Sequence, residues 1–177
     1  MRKALNLLYD IAGYLAGLCV FLIFAVMVIS SIMRQTGFKT GGTDDIASWL
    51  CAAAAFLGLA HTFKHGDFVR VGLLLESLKP GVRRFFEICC LLIAAVFTGY
   101  IAYSVVAYVW ESYQFNDMAN GLIVIPRWIP QLSLVIGSIL LFIAFVDELI
   151  LVALGNRPTY VIAVEERHAR GDFSEDV

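Results

Sequence analysis

Two stretches of 23 residues without a charged side chain, residues 11–33 and residues 88–110, restrict what this chain can fold into. As helices, at about 1.5 Å per residue, each would reach about 35 Å, more than the roughly 30 Å hydrocarbon core of a bilayer. Two further apolar stretches, residues 46–63 and 129–146, have 18 residues each. The apolar core of a secretory signal has only about 7–15 residues, so the first stretch is predicted to be a retained span. The sequence therefore predicts four membrane-spanning helices.

The composition also indicates a membrane protein. Hydrophobic residues make up 60% of the chain and charged residues 16%, whereas soluble domains have about 45–50% and about 25%. The 13 Lys and Arg residues are too few for a nucleic-acid-binding stripe, so no nucleic acid is expected as a partner. We predict an all-α integral membrane protein with a four-helix transmembrane domain over residues 1–158 and a charged, disordered cytoplasmic tail over residues 159–177. The predicted spans are about residues 11–33, 44–63, 86–110 and 129–154.

Two stretches outside the spans could form helices at the membrane interface. Residues 2–10 alternate basic and apolar positions at helical spacing. They are predicted either as a short helix in the interface or as the inner end of the first span. In residues 67–79, four aliphatic side chains share one helical face, while Glu76, Lys79 and Arg83 share another. That stretch is predicted either as a helix lying flat at the headgroups or as an ordinary basic loop.

The distribution of cations predicts the orientation of the chain. With four spans, both termini and the middle connector lie on one side, and that side carries ten of the 13 Lys and Arg residues. Because cytoplasmic loops are enriched in Lys and Arg, both termini and this connector are predicted to be cytoplasmic. Trp49, Trp110 and Trp128 lie near the opposite ends of their spans, as expected of an aromatic belt. The connector's cations, which are assigned to orientation and anchoring, are Lys64, Arg70, Lys79, Arg83 and Arg84.

The predicted spans lack the groups with which a membrane protein moves a polar solute. No acidic or basic residue lies deeper inside a predicted span than about two turns from its end, although ionisable groups inside membranes usually mark ion paths or substrate sites. Gly99 and Gly137 are single glycines and are interpreted as packing positions, not as the helix breaks that form binding sites in transporters. We therefore expect a subunit of a larger assembly, and not an enzyme.

The basic connector carries a resemblance to a known family. Residues 60–74, AHTFKHGDFVRVGLL, resemble the small membrane subunit (DctQ type) of the tripartite ATP-independent periplasmic, or TRAP, transporters. Members of that family show a small-residue helix end, a basic residue, Gly-His or Gly-Asp, an aliphatic residue, Arg-Val and then leucines. Gly72 departs from this pattern, because many members have Asp there, and any role for a charge at that position is put in doubt.

Two further segments resemble the same family. They are PRWIPQL at residues 126–132, followed by Gly-Ser at 137–138, and the acidic start of span two at residues 44–45. Chain length, four spans and inward termini are also similar to members of the family. The resemblance covers about residues 5–155 and implies the same four-span fold.

The resemblance implies a three-part importer in a bacterial inner (cytoplasmic) membrane. A periplasmic solute-binding protein (P type) would deliver an organic acid, such as a C4-dicarboxylate or a sugar acid, to a large membrane subunit (M type). The large subunit would hold the substrate and sodium sites of this symport, so no cofactor is expected in the small chain. The small subunit would be a multi-pass scaffold in the lipid bilayer, against which the mobile part of the large subunit slides.

Two sets of residues are candidates for contacts with these partners. Small residues in the spans would pack against the large subunit, with packing inside this chain as the alternative. They are Gly13, Gly17 and Gly58. The cations on the outer side would contact the solute-binding protein, with anchoring at lipid headgroups as the alternative. They are Arg34, Lys39 and Arg127.

Two other classes of protein are alternatives. The nearest is the small four-span subunit of the tripartite tricarboxylate transporters, against which the Arg-Val pair at residues 70–71 argues. The other is a membrane-anchored haem or redox protein, because His61 and His65 share a helix face and could bind a metal together with Asp67. Haem ligation needs histidines facing each other from different helices, and the remaining histidine, His168, lies in the tail. Solvated histidines without a metal are therefore expected.

Overall fold

The computed structural model describes residues 2–37, 41–65, 80–156 and 158–162, together with residue 169. Its helices are α1 (Arg2–Gln35), α2 (Thr43–His65), α3 (Pro80–Gln114) and α4 (Trp128–Ala153). All four are long and apolar enough to cross a bilayer, which confirms the predicted all-helical architecture in this part of the chain. The stretch over residues 67–79, Lys39 and most of the tail lie outside the described residues.

Helix α1 runs without a break from Arg2 to Gln35. Residues 2–10 therefore form the first turns of the span-one helix, and not a separate helix. No Gly or Pro precedes Gly13, so the local sequence contains no strong helix breaker. The helix ends just before Gly37, whose φ of 81° is a left-handed conformation that glycine adopts without steric cost.

The other helices begin and end at residues that suit those positions. Asp44 and Asp45 occupy the first turn of α2, as predicted, where carboxylates complement the helix dipole. Pro80 opens α3, whose 35 residues reach about 52 Å, so this helix extends well beyond the hydrocarbon core. At the end of α4, the backbone N–H of Gly155 donates to the carbonyl of Val152 over 3.1 Å. Such a contact is typical of the C-terminus of a helix.

The four helices lie side by side in one layer and do not form a closed bundle. Extended contacts join α1 to α2, α2 to α4 and α4 to α3, whereas the other pairs of helices touch far less. The order across the layer is therefore α1, α2, α4, α3. The described residues leave both broad faces of such a layer without cover, and α1 and α3 are its edges.

Small residues set the close contacts within the layer. A Cβ atom at Gly137 would lie 2.7 Å from Cβ of Phe56 and would also meet the backbone of that residue, so α2 and α4 approach closely there. A Cβ atom at Gly99 would lie 2.9 Å from the ring of Phe142, at the contact between α3 and α4. The interpretation of Gly99 and Gly137 as packing positions is confirmed.

The buried core of the layer lies at the end that contains the start of α1. The ring centre of Phe63 lies 4.1 Å from that of Phe145, with the two ring planes tilted by 40°, and 6.1 Å from that of Tyr160. Tyr160 belongs to a short turn that follows α4 and folds back onto the layer. The buried residues of this cluster are Tyr9, Ala60, Phe63, Leu91, Ala144, Val152 and Tyr160. We call this the N-terminal end of the layer and the opposite one, with the start of α4, the loop end.

Candidate functional sites at the two ends of the layer

The connector between α3 and α4 folds back on itself at the loop end. The backbone N–H of Arg127 donates to the carbonyl of Asp117 over 2.8 Å, and Met118 and Pro126 form an isolated antiparallel bridge. The guanidinium of Arg127 also pairs with the carboxylate of Asp117 at 3.0 Å. These contacts form a short hairpin-like loop that crosses the end of the layer.

Asp45 ties this loop to the start of α2. Its Oδ2 atom accepts hydrogen bonds from the backbone N–H of Leu122 at 2.8 Å and from that of Ile123 at 3.4 Å. Gly121 lies against the same carboxylate, and a side chain at this position would collide with it. The sequence explains Asp45 as a residue of the first helical turn. Its bond to a loop 77 residues away has no signal in the local sequence.

Replacing Asp45 with Ala is expected to loosen the loop, because two backbone donors lose a charged acceptor. The amide of Leu122 should exchange with solvent about fivefold faster, corresponding to about 1 kcal/mol for an exposed charge-assisted hydrogen bond. Hydrogen exchange measured by mass spectrometry on the connector tests this. Asp44→Ala is the matched control, since that exposed neighbour lies in the same helical turn. Equal exchange in the two variants would contradict the role assigned to Asp45.

A cavity of about 390 Å³ lies between the loop, α2 and α4. Its lining includes Asp45, Trp49, Arg127 and Gln131, and the Oε1 atom of Gln131 is buried without a hydrogen-bond partner. Trp128 packs edge-on against Tyr113 with their rings 5.7 Å apart. The loop end is thus rich in aromatic residues, and the three tryptophans lie at this one end as predicted.

A cluster of charged side chains is buried at the N-terminal end. The Nζ atom of Lys64 lies 2.6 Å from Oδ2 of Asp147 and 3.1 Å from Oε2 of Glu148. Lys64 is 7% exposed and Glu148 is fully buried. The backbone N–H of Thr159 donates to the other oxygen of Glu148, and the Lys64 ammonium lies 5.5 Å from the ring centre of Tyr9. This cluster joins α1, α2, α4 and the turn after α4.

The middle of the spans contains no polar path in the residues that the structure describes. Thr98 donates to the carbonyl of Ala94 in its own helix over 2.8 Å, and Ser138 donates to that of Val135 over 3.0 Å. A hydroxyl that is bonded to its own helix satisfies a local group and offers little to a passing solute. The charged groups described above lie at the two ends of the layer.

The sequence matches a known family over most of its length. The match, to the DctQ component of the tripartite ATP-independent periplasmic transporters, covers residues 23–155. The chain belongs to the DctQ family. It is therefore a multi-pass membrane component of a TRAP transporter, and not an enzyme, and the proteins of that system are its partners. No curated protein matches it. The resemblance of residues 60–74 and 126–138 is confirmed, and the match selects this family over the tricarboxylate type.

The three cations that are predicted to lie on the outer side differ in their surroundings. Arg34 is exposed in the last turn of α1 and forms no ion pair with another described residue. Arg127 is held by Asp117 and by the carbonyl of Met118, so its charge also holds the loop together. Lys39 lies outside the described residues. Contact of these residues with the solute-binding protein stays a prediction.

The three candidate packing glycines also have different neighbours. A Cβ atom at Gly13 would lie 2.6 Å from the ring of His61, and one at Gly58 would lie 3.7 Å from Ala16, so both face the contact between α1 and α2. Gly17 has no neighbour within 4 Å of the corresponding position. Gly13 and Gly58 thus serve packing inside the DctQ chain, and the open position at Gly17 stays a prediction for the large subunit.

The cations assigned to orientation and anchoring are also placed differently. Lys64 is buried in the ion cluster and does not reach out to headgroups. Arg83 pairs with Glu87 at 3.1 Å, and Arg84 donates to the carbonyl of Ala153 over 3.0 Å. Arg70 and Lys79 lie outside the described residues. Arg84 therefore ties the start of α3 to the end of α4, whereas the pair of Arg83 with Glu87 lies within α3.

Proposed function

We propose that this DctQ chain is the fixed scaffold subunit of a TRAP importer and packs through one face of its layer against the large membrane subunit. The observation that carries the proposal is the open layer itself. Among the described residues, four apolar helices leave both broad faces uncovered, and their polar groups offer no path for a solute. A layer of this kind suits a frame that widens the static part of a transporter.

Exposed tyrosines on α3 favour the large subunit as the neighbour of one face of this helix. Tyr100 and Tyr103 lie near the middle of α3 and are 70% and 75% exposed. Neither hydroxyl bonds to another residue in the described part of the chain. A hydroxyl left unsatisfied in hydrocarbon is unfavourable, because no water is present to bond it. The face of α3 with these tyrosines therefore suits contact with a protein that supplies hydrogen-bond partners better than contact with lipid.

Co-purification from the native membrane tests the scaffold role. A tag on the C-terminal tail should recover a stoichiometric multi-span membrane protein, identified by mass spectrometry. Tyr100→Ala combined with Tyr103→Ala should lower that recovery several-fold. Phe21→Ala combined with Phe24→Ala is the matched control, since these aromatic residues have the same spacing on α1 and similar exposure of 63% and 66%. Recovery of the chain alone would refute the scaffold role, and equal losses in both variants would refute the α3 contact.

The orientation, partners and solute class complete the proposal. In a bacterial inner membrane, the N-terminal end of the layer would face the cytoplasm, because the cations are concentrated at this end. The loop end would face the periplasm. The loop end would then help receive a solute-binding protein that delivers an organic acid. Sodium and the solute would be bound in the large subunit.

Charge reversal at the outer cations should weaken uptake without loosening assembly. Arg34→Glu combined with Lys39→Glu is expected to lower transport by added binding protein about tenfold, because electrostatic steering speeds encounter. Arg127→Glu is tested separately, since it also breaks the pair with Asp117. Transport into proteoliposomes at several concentrations of binding protein is the measurement. The charge-conserving variant Arg34→Lys with Lys39→Arg should transport as the wild type does, and equal transport by the reversed variant would contradict docking there.

A further inference from the structure

A group of three potential metal ligands lies at the N-terminal end, outside the buried ion cluster. Asp10 comes from α1, whereas His61 and His65 come from the last turns of α2. One ring nitrogen of each histidine and one carboxylate oxygen of Asp10 lie within 4.8 Å of one another. The Nδ1 atom of His61 is 3.7 Å from Oδ1 of Asp10. Two ligands bound to one zinc ion in a tetrahedral site are about 3.3 Å apart, so only small shifts would bring these groups together.

The positions of both imidazoles are set by backbone carbonyls, and the contact of His65 resembles that of metal-binding histidines. Such histidines usually present their second ring nitrogen to a backbone carbonyl or a carboxylate, which fixes the orientation of the ring. Nδ1 of His65 lies 3.0 Å from the carbonyl of His61 in this way. Nδ1 of His61 lies 3.3 Å from the carbonyl of Tyr9, but the same nitrogen lies 3.7 Å from the Asp10 carboxylate, so it would exchange the carbonyl for the ion on binding. The two rings lie 4.1 Å apart at an angle of 32°. Both side chains are therefore ordered before any ion binds.

Gly13 explains why the ring of His61 can lie next to Asp10. A Cβ atom at Gly13 would lie 2.6 Å from Cγ and 2.7 Å from Nδ1 of His61. The absence of a side chain at this position lets the imidazole lie directly against α1, one turn from the carboxylate. The side chains of His61 and Asp10 are 34% and 46% exposed, so an ion could reach the group from water.

We propose that Asp10, His61 and His65 bind a divalent transition-metal ion of the zinc class, which ties α1 to α2. Two imidazoles spaced i, i+4 on a helix are a known arrangement for zinc, and one carboxylate completes a three-ligand set with a position open to water. Imidazole suits Zn²⁺, Co²⁺, Ni²⁺ and Cu²⁺, whereas Mg²⁺ and Ca²⁺ prefer oxygen ligands. The proposal is independent of the scaffold role. The proposal differs from the expectation from the sequence, in which both histidines are solvated and hold no metal, because the structure places a third potential ligand, Asp10, beside them from a different helix.

Metal binding by the purified full chain tests the proposal. The protein is isolated with a histidine-free tag, stripped with chelator, and titrated with Zn²⁺ and, as a spectroscopic probe, Co²⁺. The wild type should bind one ion per chain and give the visible absorption of Co²⁺ in a site of low coordination number. Asp10→Asn and His65→Ala should each weaken binding by at least about a hundredfold, since loss of a ligand exceeds the 10–100-fold effect of outer-shell changes.

The matched control is His168→Ala, which removes the third histidine of the chain and should leave binding unchanged. Thermal unfolding of each variant without metal shows whether it is folded. Because Asp10→Asn is nearly isosteric, it keeps the test valid if a histidine variant unfolds. The proposal would be overturned if the wild type bound no more Zn²⁺ than the folded Asp10→Asn variant. It would also be overturned if His168→Ala lost Zn²⁺ binding to the same extent as the ligand variants, and His61 and His65 would then be a hydrogen-bonded pair without a metal.

Discussion

Replacing Lys64 with Met is expected to lower the free energy of unfolding of the DctQ chain by about 3–5 kcal/mol, as for other buried ion pairs that lose one partner. The ammonium group of Lys64 lies between the carboxylates of Asp147 and Glu148, at 2.6 Å and 3.1 Å. Without it, two carboxylates would remain side by side where Glu148 has no contact with water. Chemical unfolding of the purified chain in detergent micelles measures the difference.

Two further variants separate the charge effect from a general loss of packing. Arg83→Met breaks a more exposed ion pair with Glu87 and should cost less than about 1 kcal/mol. Combining Lys64→Met with Asp147→Asn and Glu148→Gln removes the uncompensated charges and should restore at least half of the lost free energy. If the triple variant is less stable than Lys64→Met alone, then the carboxylates stabilise the fold through contacts other than the ion pair.

The buried ion cluster is a feature that the sequence alone does not predict. The number and extent of the spans follow from the length of the uncharged runs, since only long apolar helices satisfy their backbone in a bilayer. The order of the helices across the layer does not follow from those runs. Lys64 is therefore predicted to be a surface anchor, although Asp147 directly follows the last apolar run at a similar depth. The similar depth of Lys64 and Asp147 is the feature of the sequence from which their ion pair could have been predicted.

At the loop end, the sequence predicts the local structure but not the contact between distant segments. The predicted second span begins at residue 44, and Asp44 and Asp45 lie in the first turn of α2, where carboxylates complement the helix dipole as a local property of the helix. The bond between Asp45 and the loop at Leu122 depends on how the connector folds over the layer, which no local pattern encodes. The family assignment succeeded because short motifs such as residues 60–74 keep their order along the chain, whether or not their contacts are known.

Replacing Gly137 with Ala is expected to destabilise the contact between α2 and α4 by about 2 kcal/mol. The new methyl group would lie 2.7 Å from Cβ of Phe56 and would also meet its backbone carbonyl, which cannot move without its helix. Because the clash includes backbone atoms, the cost of overpacking is expected at the upper end of the usual range of about 1–3 kcal/mol, and the better helix propensity of Ala offsets about 1 kcal/mol of it. Unfolding of the chain in micelles measures the net effect, and a variant as stable as the wild type would show that the two helices are not in close contact.

Two other glycines make this test specific, because they differ in what surrounds them. Gly99→Ala meets the ring of Phe142, which can rotate away, so its cost should be smaller than that of Gly137→Ala. Gly17→Ala has no neighbour within 4 Å and should stabilise the isolated chain by up to about 1 kcal/mol through helix propensity. If Gly17→Ala nevertheless lowers co-purification of the large subunit, then Gly17 packs against that subunit. Unchanged recovery would favour lipid as the neighbour of Gly17, because no described residue of the DctQ chain lies within 4 Å of a Cβ atom at that position.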